Sequence, residues 1–232
     1  MLIFAVIIVV SGALIIGALW GLYGRLPGWL EGNLLAVAGG ALMISVVIEL
    51  LQPAVTDRGV WITAAFTLLG ALVFAGVDYL LDEKLNADGG SGLLAAITLD
   101  GVPENLALGV ALISGNVMQV AALAGSILLS NLPEAAGGAK EMRNNGVSNK
   151  KVLMLWIGAA ALLSVAAILG KVLLKDADDA TISAINSFAA GAVIASLATE
   201  VFPTAFKRSN HWAGISTTIG LILALALNQL GG

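Results

Sequence analysis

The chain has 232 residues, of which 59% are hydrophobic and 11% are charged, and its net charge is −4. Soluble domains carry roughly 25% charged residues, so this composition excludes an ordinary soluble domain and indicates one integral membrane domain over residues 1–232. The absence of cysteine excludes thiolate metal sites and disulfides. The sequence has no stripe of basic residues that would indicate a nucleic-acid partner.

Eight apolar runs follow one another along the chain, each long enough for a helix to cross the bilayer, which takes about 20 residues. The first run reaches Leu22 and lacks the basic start of a signal peptide, which predicts a retained helix. The expected fold is therefore an all-α membrane protein with eight transmembrane helices. The predicted spans lie near residues 2–22, 33–53, 60–81, 92–113, 118–139, 152–174, 181–204 and 211–230.

The positive charges favour one orientation of these spans. Three of the eleven Lys and Arg residues follow even-numbered spans, and eight follow odd-numbered spans. Because cytoplasmic loops are enriched in Lys and Arg, this bias predicts a multi-pass protein of the plasma or inner membrane with both termini outside. The eight are Arg25, Lys84, Lys140, Arg143, Lys150, Lys151, Lys207 and Arg208.

The second and seventh spans share a pattern when one is shifted by 151 residues. Glu49 then coincides with Glu200, and Ser45 coincides with Ser196, amid several matching Ala and Gly residues. The two spans would cross the membrane in opposite directions. The pattern therefore predicts an inverted repeat of spans 1–3 and 6–8 around spans 4 and 5, as in many transporters. Glu49 is expected at the outer mouth of a pathway and Glu200 at the inner mouth.

The fourth span contains acidic residues around a proline. Asp100 and Glu104 are four residues apart, so a helix projects both carboxylates from one face. Pro103 removes an intrahelical hydrogen bond, and we expect it to free the carbonyl oxygen of Leu99 beside them.

The fifth span repeats this arrangement thirty residues later. Ser130 and Asn131 precede Pro133 and Glu134, and Ser130 stands four residues before Glu134. The proline is expected to free the carbonyl oxygen of Leu129. Matched Pro-Glu motifs in adjacent spans favour a shared site over two unrelated helix kinks.

Carboxylates in a bilayer are costly, at about 2.5–3.5 kcal/mol each even on lenient insertion scales. A bound cation, a proton or a water-filled path would offset this cost. A divalent metal ion would neutralise the clustered negative charge and would also bind the freed carbonyl oxygens. Two alternatives remain open at this point: protonated glutamates that only help helices to pack, and a proton relay without metal.

At these residues the sequence resembles the ZIP family of zinc and iron transporters, and it is most similar to the compact bacterial branch. The resemblance covers nearly the whole chain, including the small-residue-rich spans 2 and 7. The family's fourth-span motif is His-Asn-x-Pro-Glu-Gly, in which Asp100 here replaces the histidine and Gly101 the asparagine. The family's fifth-span motif has a polar pair before Pro-Glu-Gly, and Ser130 and Asn131 match that pair.

The resemblance implies a divalent metal transporter of the zinc, iron or manganese class. In the family the two Pro-Glu glutamates bridge a two-metal site, and a block containing spans 4 and 5 moves like an elevator against one containing spans 2 and 7. The oxygen-only ligands expected here suit Mn²⁺, Mg²⁺ or Ca²⁺ better than Zn²⁺, which carboxylates also bind. The predicted metal ligands are Glu104, Glu134, Asp100, Asn131, Ser130, Glu200 and Glu49.

Two other functions compete with metal transport. A proton-coupled carrier of another solute would use Asp100, Glu104 and Glu134 as a relay. An intramembrane hydrolase would need histidine ligands or a nucleophile beside a base, and His211 is the only histidine, so no enzyme is expected. The expected partners are the transported divalent metal ion and the lipid bilayer, with no organic cofactor. A homodimer is one alternative for the oligomeric state.

Overall fold

The structure, a computed structural model, describes residues 2–84, 90–114 and 117–230 of the chain. In these ranges all regular elements are helical, and two π-helical segments of five residues each interrupt longer helices. The elements are α1 (Leu2–Tyr23), α2 (Gly28–Val46), the first π-segment (Val47–Leu51), α3 (Gln52–Arg58), α4 (Val60–Lys84), α5 (Gly90–Ser114), α6 (Val117–Asn144), α7 (Asn149–Leu174), α8 (Asp179–Ser196), the second π-segment (Leu197–Val201), α9 (Phe202–Ser209) and α10 (Trp212–Leu230).

Seven helices in the described ranges are long and apolar enough to cross a membrane, which is typical of a multi-pass membrane protein. The fourth predicted span lies on α5, where the described apolar stretch, Gly101–Ile113, is shorter than the others. The count of eight spans therefore stays a prediction. The seven are Phe4–Tyr23, Gly28–Arg58, Val60–Leu81, Val120–Asn144, Asn149–Leu174, Asp179–Ser209 and Trp212–Gln229.

The second and seventh predicted spans are longer than the sequence indicated, because neither proline near their ends stops the helix. Gln52 and Phe202 donate their backbone N–H groups to carbonyl oxygens five residues earlier, which makes each turn π-helical. Pro53 and Pro203 come next, in the first turn of α3 and α9, where a missing N–H is tolerated. Each helix therefore continues for several residues beyond its proline.

The helices pack in two groups. In the first group, α1 packs on α6 and α7, and α5 packs on α7. In the second group, α2 packs on α10 and α9, and α4 packs on α8. The groups meet where α2 lies on α6 and where α5 lies on α8. The Pro-Glu motifs of α5 and α6 therefore belong to the first group, and Glu49 and Glu200 continue helices of the second.

Glycine allows α2 and α10 to cross at backbone contact. A Cβ atom on Gly40 would collide with the carbonyl oxygen of Thr217, and one on Gly220 with that of Val37. In a membrane, where the hydrophobic effect does not drive helices together, such close approach supplies much of the association through van der Waals contact.

The crossing of α4 and α8 is built in the same way. A Cβ atom on Gly70 would collide with the carbonyl oxygen of Phe188, and one on Gly191 with that of Thr67. Each of the two crossings thus has one glycine on each helix, facing the backbone of the other.

Two large apolar clusters form most of the described core. The first apolar cluster joins α1, α2, α5, α6 and α8 and contains Val6, Val10, Leu42, Val46, Leu50, Ala107, Leu108, Leu112, Val120, Leu123, Ala124, Ile127, Ala189, Ala190, Val193 and Leu197. The second apolar cluster joins α1, α6 and α7 and contains Leu14, Ala18, Leu22, Ala135, Ala139, Met142, Val152, Trp156, Ala160 and Leu163.

Candidate functional site

Glu104 and Asn105 occupy the middle of α5. The Glu104 residue is 5% exposed, and Asn105 is more buried still. Asn105 Nδ2 donates to the carbonyl oxygen of Gly101 at 2.9 Å, which satisfies the amide inside its own helix. Pro103 lies within the same helix, directly before Glu104. The structure therefore keeps a carboxylate in the protein interior next to a proline.

Ser130 and Asn131 are buried on α6. Ser130 Oγ donates to the carbonyl oxygen of Ile127 at 3.0 Å. Asn131 is 3% exposed, and its Nδ2 donates to the carbonyl oxygen of Val10 on α1 at 3.5 Å. Glu134, one turn further along α6, is partly buried. The fifth-span motif thus faces the interior of the first group.

These polar residues lie between the two apolar clusters. On α6, the first apolar cluster ends at Ile127 and the second begins at Ala135, with the motif between them. On α1, the boundary falls between Val10 and Leu14. We call the buried side chains at this level the polar layer, consisting of Glu104, Asn105, Ser130 and Asn131.

The hydroxyl groups of α1 and α7 extend the polar layer. Ser11 Oγ and Ser164 Oγ share a hydrogen bond of 2.6 Å, next to the Val10 carbonyl that accepts from Asn131. Ser164 Oγ also donates to the carbonyl oxygen of Ala160. Together these groups carry polar atoms across the first group between two apolar zones, where an ion or proton could bind.

Glu49 lies in the first π-segment and is 8% exposed. Its Oε1 accepts a hydrogen bond from Asn228 Nδ2 of α10 at 2.7 Å. This amide belongs to the second group, like Glu49 itself. Glu200 lies at the corresponding place in the second π-segment and is partly buried. Both glutamates therefore sit in π-turns, which are often found at functional sites.

The described carboxylates do not gather into one metal cluster. No group of three or more His, Cys, Asp or Glu side chains that could hold a metal ion occurs among the described residues. The side chain of Asp100 lies outside the described part of the chain, so its role as a metal ligand stays a prediction. The structure thus brings Glu104, Ser130 and Asn131 to one level, and the shared ion stays a prediction.

A hydrogen bond between Ser45 on α2 and Ser126 on α6 connects the two groups. The two hydroxyl oxygens are 2.7 Å apart, and both residues are buried between α2 and α6. The sequence pattern singled out Ser45 as part of the repeat but contained no signal for its partner.

Sequence reasoning missed a second charged site at one end of the molecule. Glu31 on α2 is 1% exposed and forms ion pairs with Arg208 of α9 and Lys140 of α6. The Lys140 Nζ–Glu31 Oε2 distance is 3.4 Å, and Lys140 Nζ also donates to the carbonyl oxygen of Leu26 at 2.8 Å. Glu31 stands two residues before the second predicted span, so the hydropathy pattern did not indicate its burial.

Most of the predicted loop charges lie on helices, Lys140 and Arg143 among them. Lys140 and Arg143 belong to α6, which runs to Asn144, beyond the predicted end of the fifth span. Arg143 Nη1 donates to the carbonyl oxygen of Leu22 near the end of α1. The two cations thus satisfy carbonyl groups at the end of α1 and in the connection that follows it, where intrahelical donors are missing.

A smaller polar site lies where α3 meets α8. Ser183 Oγ donates to Asp57 Oδ2 at 2.8 Å, and Asp57 also pairs with Arg58 at 3.2 Å. Asp178 caps α8 by accepting a 2.7 Å hydrogen bond from the backbone N–H of Thr181, and this bond lowers the pKa of Asp178. A cavity of about 340 Å³ adjoins these residues.

Comparison with known proteins adds no assignment to this geometry. No protein-family model matches the chain, and no curated protein matches it. The functional conclusion therefore rests on the polar layer and its surroundings.

Proposed function

We propose that this protein carries divalent metal ions across a membrane through the polar layer between α5 and α6. The supporting observation is a buried glutamate, Glu104, and three further buried polar residues of α5 and α6 that lie between the two apolar clusters. An ionisable side chain inside a membrane is costly, so its presence favours a role in binding or moving ions. Glu104, Glu134 and Asp100 would supply carboxylate oxygens to the ion, and Ser130 and Asn131 would add hydroxyl and amide oxygens.

The proposal includes eight spans arranged as an inverted repeat, with spans 1–3 and 6–8 as the two copies. The two glycine crossings support this, because the residues of the α2–α10 crossing have counterparts in the α4–α8 crossing. The second and seventh spans match at a shift of 151 residues, and the third and eighth match at a shift of 150. The counterparts are Val37 with Phe188, Gly40 with Gly191, Thr67 with Thr217, and Gly70 with Gly220. Equivalent π-segments after α2 and α8 point the same way.

An inverted repeat suits alternating access, because exchanging the conformations of the two copies exposes one site to alternate sides. In this proposal the first group moves against the second, with the Ser45–Ser126 bond and the α5–α8 contact at their boundary. Glu49 and Glu200 line opposite mouths, both termini lie outside, and the membrane is the plasma or inner membrane. The movement of one group against the other is the one that the resemblance to the ZIP family implies.

Flux in proteoliposomes tests the proposal. The purified chain is expected to carry Mn²⁺ or Zn²⁺ down a gradient, and Glu104→Gln or Glu134→Gln is expected to reduce this flux at least tenfold. Asp176→Asn is the control, because the Asp176 side chain is 87% exposed and lies in the turn between α7 and α8, outside the polar layer. Normal flux in both of the first two variants would overturn the shared site.

A proton-coupled carrier of another solute is the second candidate, because the buried carboxylate of Glu104 could bind a proton as well as a metal ion. It would use the same carboxylates as a proton relay. Proton uptake that needs no divalent ion and is abolished by Glu104→Gln would identify it. Divalent-ion flux that persists without a proton gradient would instead support the first proposal.

A further inference from the structure

The ion pair between Lys140 and Glu31 joins the two helix groups. Lys140 extends from α6 in the first group, and Glu31 lies on α2 in the second. Arg208, the other cation on Glu31, comes from α9 and so belongs to the same group as Glu31. Of these two ion pairs on Glu31, only the Lys140 pair has to break if the groups move apart.

The Lys140–Glu31 pair lies at the edge of a cavity of about 550 Å³. Gly137, Glu141 and Asn144 of α6 line this cavity, and they follow Glu134 at intervals of three or four residues. Residues at these intervals share one helix face. Since a helix rises about 1.5 Å per residue, the cavity begins roughly 5 Å along α6 from Glu134.

Gly137 allows the buried carboxylate of Glu31 to lie against α6. A Cβ atom at this position would collide with Glu31 Oε1 unless the end of that side chain shifted, so the glycine leaves room for the carboxylate against α6. Glu31 therefore fills the space between α2 and α6 at the end of the cavity nearest Glu134. A cation leaving Glu134 along this face of α6 would meet Glu31 first.

The chemistry of the pair makes it reversible. The Lys140 side chain is 30% exposed, so its ammonium group can return to water when the pair breaks. Glu31 keeps Arg208 as its counter-charge in either state, so no buried carboxylate is left without a cation.

We propose that the Lys140–Glu31 pair is an ionic latch that closes this end of the pathway and opens when the two groups separate. The role as a gate rests on the proposed transport function. The latch itself is a property of the closed conformation, and it can be measured without any metal.

A single cysteine behind the latch reports its state, because the chain has no native cysteine. Ser130 is buried on the face of α6 that carries Glu134 and Gly137. It lies about 10 Å along the helix from the point where Gly137 meets Glu31. Ser130→Cys exchanges one small side chain for another, and an uncharged, water-soluble maleimide can reach it from the cavity only past the latch.

The expected result is a change in labelling rate that follows the charge at position 140. Ser130→Cys should react slowly in detergent-purified protein without metal. Adding Lys140→Met should raise that rate at least fivefold, because the pair with Glu31 is lost. Adding Lys140→Arg, which keeps the positive charge, should leave the rate within twofold.

Two controls distinguish opening of the latch from a general loosening of the fold. Asp176→Asn changes a carboxylate that is 87% exposed in the turn between α7 and α8, and it should change the Ser130→Cys rate less than twofold. Ser196→Cys, the same exchange at a buried serine of α8, should stay slow when Lys140→Met is added. A rise at Ser196→Cys equal to that at Ser130→Cys would show loosening of the whole fold and overturn the latch.

The outcomes also distinguish the latch from the proposed function. An unchanged Ser130→Cys rate in folded Lys140→Met and Glu31→Gln proteins overturns the latch, whatever the flux assay shows. An increased rate in a chain that carries no divalent ion supports the latch and contradicts the transport proposal. If Lys140→Met does not fold, Lys140→Gln provides the same comparison with a polar side chain.

Discussion

Asn228 Nδ2 donates a 2.7 Å hydrogen bond to Oε1 of Glu49, which connects α10 to the π-segment that follows α2. The bond places an amide donor on a carboxylate that is otherwise removed from water. It also holds Glu49 against its own helix group, so the position of this predicted pathway residue depends on the last helix of the described chain.

Replacing Asn228 with Ala should destabilise the protein, because it leaves the buried Glu49 carboxylate without this donor. The expected loss is about 1–3 kcal/mol in the free energy of unfolding. Asn33→Ala is the matched control, since Asn33 also joins α2 to α10, through a 2.8 Å bond from the neutral Ser216 hydroxyl. Thermal unfolding in detergent checks both variants. An equal loss in the two would contradict a special role for the carboxylate.

Gly40→Ala and Gly191→Ala should each destabilise the protein, because the new Cβ meets a backbone carbonyl oxygen that cannot move alone. The expected cost is about 1–3 kcal/mol for each, as for other overpacked sites. Gly12→Ala on α1 has open space around its Cβ and should cost nothing. Melting temperatures of the three variants provide the comparison, and a loss for one of the two crossings alone would argue against their equivalence.

Asp178 should make stability depend on pH near the start of α8. Its pKa is lowered by the hydrogen bond from Thr181, so the folded state favours the charged carboxylate. The stabilisation is therefore present above the unfolded pKa of about 3.9 and is lost as the pH falls through the lower folded value. Asp178→Asn keeps a capping oxygen without titrating. The wild type should lose stability relative to this variant between about pH 5 and pH 2, measured by thermal unfolding.

The inverted repeat predicts opposite accessibility for Glu49 and Glu200. Glu49→Cys should react with an impermeant thiol reagent added outside, and Glu200→Cys with the reagent added inside. Because the chain has no native cysteine, each variant gives one labelling site. Oriented vesicles permit the measurement, and labelling of both positions from one side would exclude the inversion.

Because Asp100 stands where the family motif has histidine, the preference for zinc over other divalent ions should be weaker than in relatives that have the histidine. Carboxylate, amide, hydroxyl and carbonyl oxygens are hard ligands, whereas an imidazole favours transition metals over Mg²⁺ and Ca²⁺. Asp100→His should therefore shift uptake toward zinc, by about tenfold in competition with manganese, an order of magnitude typical of changed metal ligation. If the wild type already rejects manganese as strongly as the variant, Asp100 does not set selectivity.

The helical membrane class follows directly from composition, because a chain that is 59% hydrophobic in runs of about 20 residues can satisfy its backbone in lipid only as helices or a closed barrel. The runs also located the helix centres well. Their ends were less predictable, since Pro53 and Pro203 signal a stop in sequence, whereas π-turns before them let the helices continue.

The candidate site stays a prediction. The Pro-Glu motifs singled out Glu104, Ser130 and Asn131, and the structure buries all three. Nothing in the motifs indicated Asn228 as the partner of Glu49, because these residues are 179 positions apart. Glu31 precedes the second predicted span, so the hydropathy pattern did not indicate its burial.

Hydropathy and residue chemistry are local properties, so they were enough to establish the membrane class, the approximate helices and the polar residues that cannot face lipid. Which helices meet is a property of the assembled fold. The fold pairs α2 with α10 and α4 with α8 through glycine crossings, and it brings Lys140, Glu31 and Arg208 together from three helices. Close packing and ion pairing act between residues distant in the chain, so their partners are fixed only when the helices are assembled.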